Sequence, residues 1–349
     1  MTGSSPAYNS AVTSHPKTRR PTIDDVAAHA GVSRGTVSRV LNGGHWVSPD
    51  ALSAVNAAIK KTGYRINPHA RNLATSRANS VAFLLTESHE MLFTDPNFAI
   101  LMRGAAHELA KHDVPLVLVM AGDEAEQRRA KQFITGGHVD GVLLVSSHSE
   151  GSNFIADIHA SGVPAVASGI PLGFENRLGY VAADDLNGAR TMVRYLRESG
   201  RRRIATITGP LDTSGGQLRL EGYRLEMAEG FDDALVERGD YSTASGARAM
   251  RRLLEAAPDL DAVFAANDMM AIGALEVLRE AGRDVPRDVG VGGFDDSPGA
   301  ATSVPPLTTM RQPFERISAE MVRLLRQAIE GEGAAAVTIP TELVIREST

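Results

Sequence analysis

The chain has 349 residues, a formal charge of −6, 43% apolar residues and no Cys. The missing thiols exclude disulfide frameworks, thiolate metal centres and cysteine catalysis, and the apolar fraction excludes global disorder. No run reaches the ~20 apolar residues of a membrane helix and the first twenty residues hold no apolar signal core, so a cytoplasmic protein without membrane contact is expected.

Residues 1–20, rich in Ser, Thr and Ala, read as a disordered arm. Residues 1–78 hold ten Lys/Arg against three Asp/Glu, a charge of +7, and the remainder carries −13. A basic head on an acidic body suits a head that meets a polyanion. Residues 22–62 read as three short helices. Thr22-Ile23-Asp24-Asp25 has capping-box spacing, with Asp in place of the usual Glu. The first helix runs to about His29, with Ile23, Val26, Ala27 and Ala30 on one face. In Gly31-Val32-Ser33 the Gly supplies a positive φ, Val32 plugs the core and Ser33 caps the second helix. That helix turns Val37, Val40 and Leu41 inward. Its opposite stripe shows Arg34, Gly35, Ser38 and Arg39, spaced to enter a major groove together. Ser48-Pro49-Asp50 starts a third helix with Leu52, Val55 and Ile59 as its buried stripe, and Gly63 ends it. A plain helical bundle would share this geometry. The tight turn, polar stripe and positive charge together favour a helix-turn-helix.

In residues 65–79, Asn67 and Pro68 can start a short helix, NPHARNLATS, too short to be stable alone in water. From residue 80 the pattern changes. Short apolar runs start at Val81, Pro115, Gly141, Pro164, Arg203, Ala262 and Val289, most followed by a helix-length segment. Near-continuous apolar strands alternating with helices mean parallel sheets covered on both faces, and the length calls for two α/β lobes.

TIDDVAAHAGVSRGTVSRVLNG at 22–43, continued by VSPDALSAVNAAIKKTGYRINPHARNLATSRANSVAFLL, resembles the LacI/GalR family of bacterial transcription regulators, from about residue 21 to the end. The resemblance implies an all-α helix-turn-helix domain at 21–64, a hinge helix and linker at 65–79, and a periplasmic-binding-protein-like body at 80–349. The body's lobes would be 80–182 plus 312–340 and 183–311 plus 341–349. It implies a homodimer on pseudo-palindromic operator DNA, with Ile23, Ser33, Arg34, Gly35, Ser38, Arg39, Asn42 and Tyr64 at the duplex. Arg34 is the foremost base reader, since Arg bonds guanine O6 and N7 together. In the hinge, Asn67, Ala70, Arg71 and Ala74 flank Leu73, which matches the family's minor-groove wedge. An ordinary linker with an incidental Leu is the plainer reading of that segment.

The body's cleft is expected to hold a small effector, with Phe98, Arg219, Tyr241, Asn267 and Asp295 around it. A sugar needs such a set: carboxylate and amide for hydroxyls, Arg for an oxygen, an aromatic plate for the ring face. Plainer roles compete: an Arg219–Asp295 ion pair, Asn267 as helix cap, Tyr241 at the surface, Phe98 in the core. Asp184-Asp185 reads as pocket or cap. The texture resembles family members of actinobacteria that sense sugars or oligosaccharides, while a purine or other metabolite stays open.

GVGGFD at 290–295 misses the G-x-G-x-x-G spacing, no Walker loop or G-x-S-x-G occurs, and no His pair has metal-ligand spacing. A non-enzyme without cofactor or metal is expected. A repressor of sugar-uptake or catabolic genes is the leading reading. A sugar-binding transport protein would leave 22–76 unexplained, and a nucleotide-dependent enzyme would need a phosphate loop. The sequence closes on LVIREST without leucine heptads, so a dimer is expected rather than a tetramer built on a helical tail.

Overall fold

The computed structural model describes residues 19, 21–41, 47–64, 77–149 and 153–349. Asn42, Asn67, Ala70, Arg71, Leu73 and Ala74 lie outside the described residues. The chain divides into two compact units between Ser76 and Arg77.

The first unit holds α1 (Ile23–Ala30), α2 (Arg34–Leu41) and α3 (Pro49–Thr62). The capping box forms: Thr22 Oγ1 accepts from the Asp25 amide, and the Asp25 carboxylate accepts from the Thr22 amide at 2.7 Å. Gly31 and Gly63 each end a helix at φ +66°, where a Cβ would be strained. Ser48 caps α3, with Pro49 at its first position. Val26, Val37 and Val55 are fully buried, with Ala27 and Ala58 beside them. Leu52 departs from the expected stripe and is 45% exposed. The inward face of α3 runs through Ala51, Val55, Ala58 and Thr62, and at ~100° per residue Leu52 falls off that line.

The second unit contains two six-stranded sheets. Its strands are β1 (Val81–Leu85), β2 (Leu116–Met120), β3 (Gly141–Val145), β4 (Ala165–Ser168), β5 (Gly179–Ala183), β6 (Ile204–Thr208), β7 (Val236–Arg238), β8 (Ala262–Ala265), β9 (Gly290–Asp295), β10 (Thr308–Arg311), β11 (Ala336–Ile339) and β12 (Glu342–Val344). The first sheet runs β11-β5-β4-β3-β1-β2, every pair parallel. The second runs β12-β10-β9-β8-β6-β7, parallel except for β10 with β12. All residues of β1, β3, β6, β8 and β9 are buried, as expected of strands covered on both faces.

The helices of the first lobe are α4 (His89–Thr94), α5 (Pro96–Ala110), α6 (Glu124–Thr135), α7 (Phe154–Ala160) and α13 (Phe314–Ile329). Those of the second are α8 (Asp185–Glu198), α9 (Ser214–Met227), α10 (Thr243–Ala256), α11 (Asp268–Glu280) and the short α12 (Pro298–Thr302). Each sheet has an apolar cluster on either face. The chain crosses between the sheets after β5, after β10 and between β11 and β12. The C-terminal strand therefore belongs to the second sheet, although β11 just before it belongs to the first.

Glycines set the helix spacing in the second lobe. A Cβ on Gly246 of α10 would run into the backbone of Met270 in α11, and one on Gly222 of α9 into the backbone of Leu186 in α8. Backbone cannot swing aside as a side chain can. Gly246→Ala is therefore expected to cost about 1–3 kcal/mol, read as a lower urea midpoint at unchanged m value. An unchanged midpoint would mean that the helices separate freely.

Candidate functional site

Between the sheets of the second unit lies a cleft walled by polar side chains, the kind of concave site where small ligands bind. The C-terminal ends of the strands supply it, as parallel sheets do. Glu87 follows β1, Ser146 and Ser147 follow β3, Ser168 ends β4, Asn267 follows β8 and Asp295 ends β9. All five effector residues expected from the sequence line this cleft: Phe98, Arg219, Tyr241, Asn267 and Asp295.

Arg219, on α9, is the hub. It is 7% exposed. Its Nε donates to Asp185 Oδ1 at 2.8 Å, its Nη1 donates to the Ala266 carbonyl and lies 3.7 Å from Asp295 Oδ1. The guanidinium sits 3.9 Å from the Phe294 ring centroid and 6.0 Å from that of Tyr241. Burial opposes its charge, but the carboxylates of Asp185 and Asp295 outweigh burial, and Arg219 holds its proton more tightly than usual. The ion pair and the pocket position are thus both present, and the stronger contact is Asp185 rather than Asp295. The Asp184-Asp185 pair is also resolved. Asp184 caps α8 by accepting from the Asn187 amide, while Asp185 is buried and lines the cleft.

Asp295 has φ +116°. Its Oδ1 accepts from Gln312 Nε2 at 2.6 Å, and its Oδ2 accepts from Asn97 Nδ2 at 2.8 Å. Asn97 belongs to α5 of the first lobe, so this bond crosses the cleft. Asn97 lines the cleft, and its Oδ1 is buried without a partner among the described residues. Asn267 is both cap and lining: its Oδ1 accepts from the Met270 amide at 2.9 Å, and its Nδ2 donates to the Tyr241 carbonyl at 3.0 Å. Tyr241 has φ +67°, and its ring lies against Gly209, where a Cβ would collide with it. Phe98 joins the first-lobe core and still reaches the lining.

Asp95, Asn97, Gln312 and Glu87 also stand in the polar wall and were not singled out from the sequence. Asp95 carried a readable signal: it precedes Pro96 as the cap of α5. Gln312 and Glu87 sit in loops whose direction only the sheets define.

Burial raises Asp95 to about 6 and Asp268 to about 7. Burial also raises Asp295 far above the carboxylate range, against the pull of Arg219 and with Asp268 and Asp95 reinforcing it.

In the first unit, Ser33 just before α2 and Arg34, Gly35 and Arg39 on it are exposed, and Ser38 is half-buried. Ser33 Oγ accepts from the Thr36 amide at 3.1 Å, Arg39 Nε donates to the Gly35 carbonyl at 3.3 Å, and Arg34 lies 3.9 Å from Asp24. A Cβ on Gly35 would meet only the ends of Ser33 and Arg39 at 3.7 Å and 3.9 Å, so internal packing does not require glycine there. Ile23 and Tyr64 pack half-buried against the helical core.

Residues 22–67 match the bacterial regulatory proteins of the lacI family, and residues 193–349 match a periplasmic binding protein-like domain. The HTH-type transcriptional regulator CelR of Thermobifida fusca is 45% identical over 336 residues, 95% of this chain and 98% of its own length. The ribose operon repressor of Escherichia coli K12 is 35% identical over 301 residues, 85% and 89% of the two chains. Among solved structures, the CelR–cellobiose complex superimposes with a TM-score of 0.76 at 42% identity, covering 95% of this chain and 100% of that one. The Lac repressor dimer bound to operator and the anti-inducer ONPF gives 0.82 at 27% identity, covering 95% and 99%.

Carboxyls raised by burial bind protons in the folded chain at a pH where the unfolded chain has released them. Their stabilisation is full below the unfolded value near 3.8 and is lost as pH rises through about 6 and 7. Urea unfolding of the full chain should therefore show falling stability from pH 5 to pH 8. Asp268→Asn, which keeps an acceptor for the Ser297 amide, should flatten that slope. An identical slope in the variant would contradict the assignment.

Proposed function

The chain belongs to the LacI family and is a DNA-binding transcriptional regulator, and from that premise we propose that it represses sugar-uptake or catabolic genes and is released from its operator by a neutral sugar of the cellobiose class. The observation that carries the effector reading is the chemistry of the cleft wall. Carboxyls of Glu87, Asp95, Asp185 and Asp295 and amides of Asn97, Asn267 and Gln312 surround one guanidinium. Such groups accept and donate to vicinal hydroxyls, and Tyr241 and Phe98 offer apolar plates for a sugar ring. Arg219 is the only Lys or Arg among the described lining residues, and Asp185 and Asp295 already share it. An anionic sugar would meet surplus carboxylate with no cation left to answer it. The solved complex of the relative CelR with cellobiose agrees with a disaccharide of that kind.

In this reading two copies place their α2 helices in successive major grooves, with the segment around Leu73 wedged into the minor groove between them. Arg34 reads a base edge, Arg39 and Ser38 contact phosphate or base, and the bare Gly35 lets the duplex come close. The sugar acts by binding one lobe arrangement better than the other, and only that difference can shift the operator equilibrium.

Selection from random duplexes followed by anisotropy titration tests the whole reading. A pseudo-palindromic site should be enriched. Cellobiose should weaken binding to it by roughly 5–150-fold, and cellobionic acid should leave it unchanged. No enriched sequence would remove the regulator, and a response to the acid would remove the charge argument.

Arg34→Ala should lose about 1–3 kcal/mol of discrimination at one base position per half-site. An unaltered base preference would move the reading role elsewhere on α2.

A further inference from the structure

An imidazole outside the cleft lining joins the two lobes. His148 follows β3 in the first lobe. Its Nε2 lies 2.8 Å from Glu87 Oε1, in the loop after β1, and its Nδ1 lies 2.8 Å from Asp212 Oδ2, in the loop between β6 and α9 of the second lobe. Ionised carboxylates only accept, so both ring nitrogens donate, and a ring that donates twice is an imidazolium. Glu87 also accepts from Ser146 Oγ. Ser149 donates from its amide and its Oγ to the Asp212 carbonyl, at 2.8 Å and 3.0 Å. The loop after β3 thus grips Asp212 by main chain as well as by charge. The three side chains keep only 18%, 26% and 22% of their exposure for Glu87, His148 and Asp212, so solvent screens the triad less than a surface pair. Glu87 itself lines the cleft.

We infer that His148 is a positioning residue for the effector: its imidazolium clasps the Glu87 wall of the cleft to Asp212 of the opposite lobe, and so favours the arrangement in which both lobes reach one sugar. The inference rests on the cleft being the effector site. A ligand that touches both lobes gains its full contacts only when they are together. A clasp that holds them there lowers the cost of binding.

The clasp also makes binding sensitive to protons. The hydrogen bond to Glu87, working against burial and aided by the charges of Glu87 and Asp212, holds His148 up to about 9. A ring released to water titrates near ~6.5. The clasp therefore favours closure fully below ~6.5 and fades as pH rises through about 9. Among the described residues, the ring's partners are Glu87 and Asp212, which also accept from the hydroxyls of Ser146 and Ser149 on its own loop, and Asp95 interacts electrostatically with Glu87. Asp95 titrates near 6 and is already ionised above pH 7.5. The raised Asp295 is common to the protein and to its His148 variant, so their difference reports the ring.

The experiment is calorimetric titration of cellobiose into the full chain at pH 6.5, 7.5, 8.5 and 9.5. It compares the unaltered protein with His148→Gln, Asp212→Asn and the double variant. In the unaltered protein Kd should weaken between pH 7.5 and 9.5, by no more than about tenfold per unit, the limit for one linked proton. His148→Gln should bind roughly tenfold more weakly at pH 7.5 with a flattened profile. Asp212→Asn should do the same, and the double variant should be no worse than either single one. A wild-type pH slope in His148→Gln, or additive losses in the double variant, would overturn the clasp. Should the His148 variant fail to fold, the slope in Asp212→Asn decides by the same criterion. An unaltered protein that binds no neutral sugar sinks the effector reading and the clasp together, whereas normal binding with an unchanged slope in the variants sinks the clasp alone.

Discussion

A guanidinium as buried as that of Arg219 is tolerable only where carboxylates answer its charge. Asp185 and Asp295 do so, and their positions organise the body. Asp185 opens α8, directly after the chain leaves the first sheet, and Asp295 closes β9. Asp295 in turn accepts from Gln312 on the second crossover and from Asn97 across the cleft. One buried charge therefore links a helix of the second lobe, two of the three crossovers and the facing wall of the first lobe. Removing it would leave two carboxyls unpaired in a dry site, so loss of Arg219 confounds folding with ligand recognition. Neighbouring groups are cleaner probes.

The same crowding of acids explains the character of the cleft. A buried carboxyl ionises reluctantly, and Asp95 in this wall is raised by burial to about 6. A protonated carboxyl donates as well as accepts, which widens the hydroxyl patterns the wall can satisfy. Among the described residues, hydrogen bonds between the lobes include Asn97 with Asp295, Gln312 with Asp295, the His148 loop with Asp212, and Ser214 Oγ accepting from the Ile170 amide. Each lobe, by contrast, has apolar clusters on both faces of its sheet. Apolar burial within the lobes, with hydrogen bonds joining them, is the distribution expected where a ligand biases lobe arrangement without unfolding either lobe.

Much of this could be read along the chain because its signals are local. The capping box at Thr22, the Gly31 turn, the Ser48-Pro49 start and the Gly63 stop each depend on residues within one turn of each other, and each forms. The apolar runs at Val81, Gly141, Ile204 and Ala262 became buried strands because a parallel sheet covered on both faces leaves no polar alternation to disguise them. The short strands β7, β11 and β12 lacked that signature, since they lie at sheet edges and are partly exposed. Leu52 misled for a related reason: hydrophobicity marks a candidate for burial, but the helix phase decides which candidates face inward.

By itself, then, the sequence determined the helix boundaries of the head, the alternation of strands and helices in the body, and the polar residues at strand ends. All of these rest on contacts between near neighbours. Tertiary structure alone decided that Arg219 pairs first with Asp185, that Asn97 meets Asp295 across a separation of 198 positions, and that His148 stands between Glu87 and Asp212. Those partners come together only once two sheets have closed on three crossovers, and no spacing along a chain encodes a distance across a cleft.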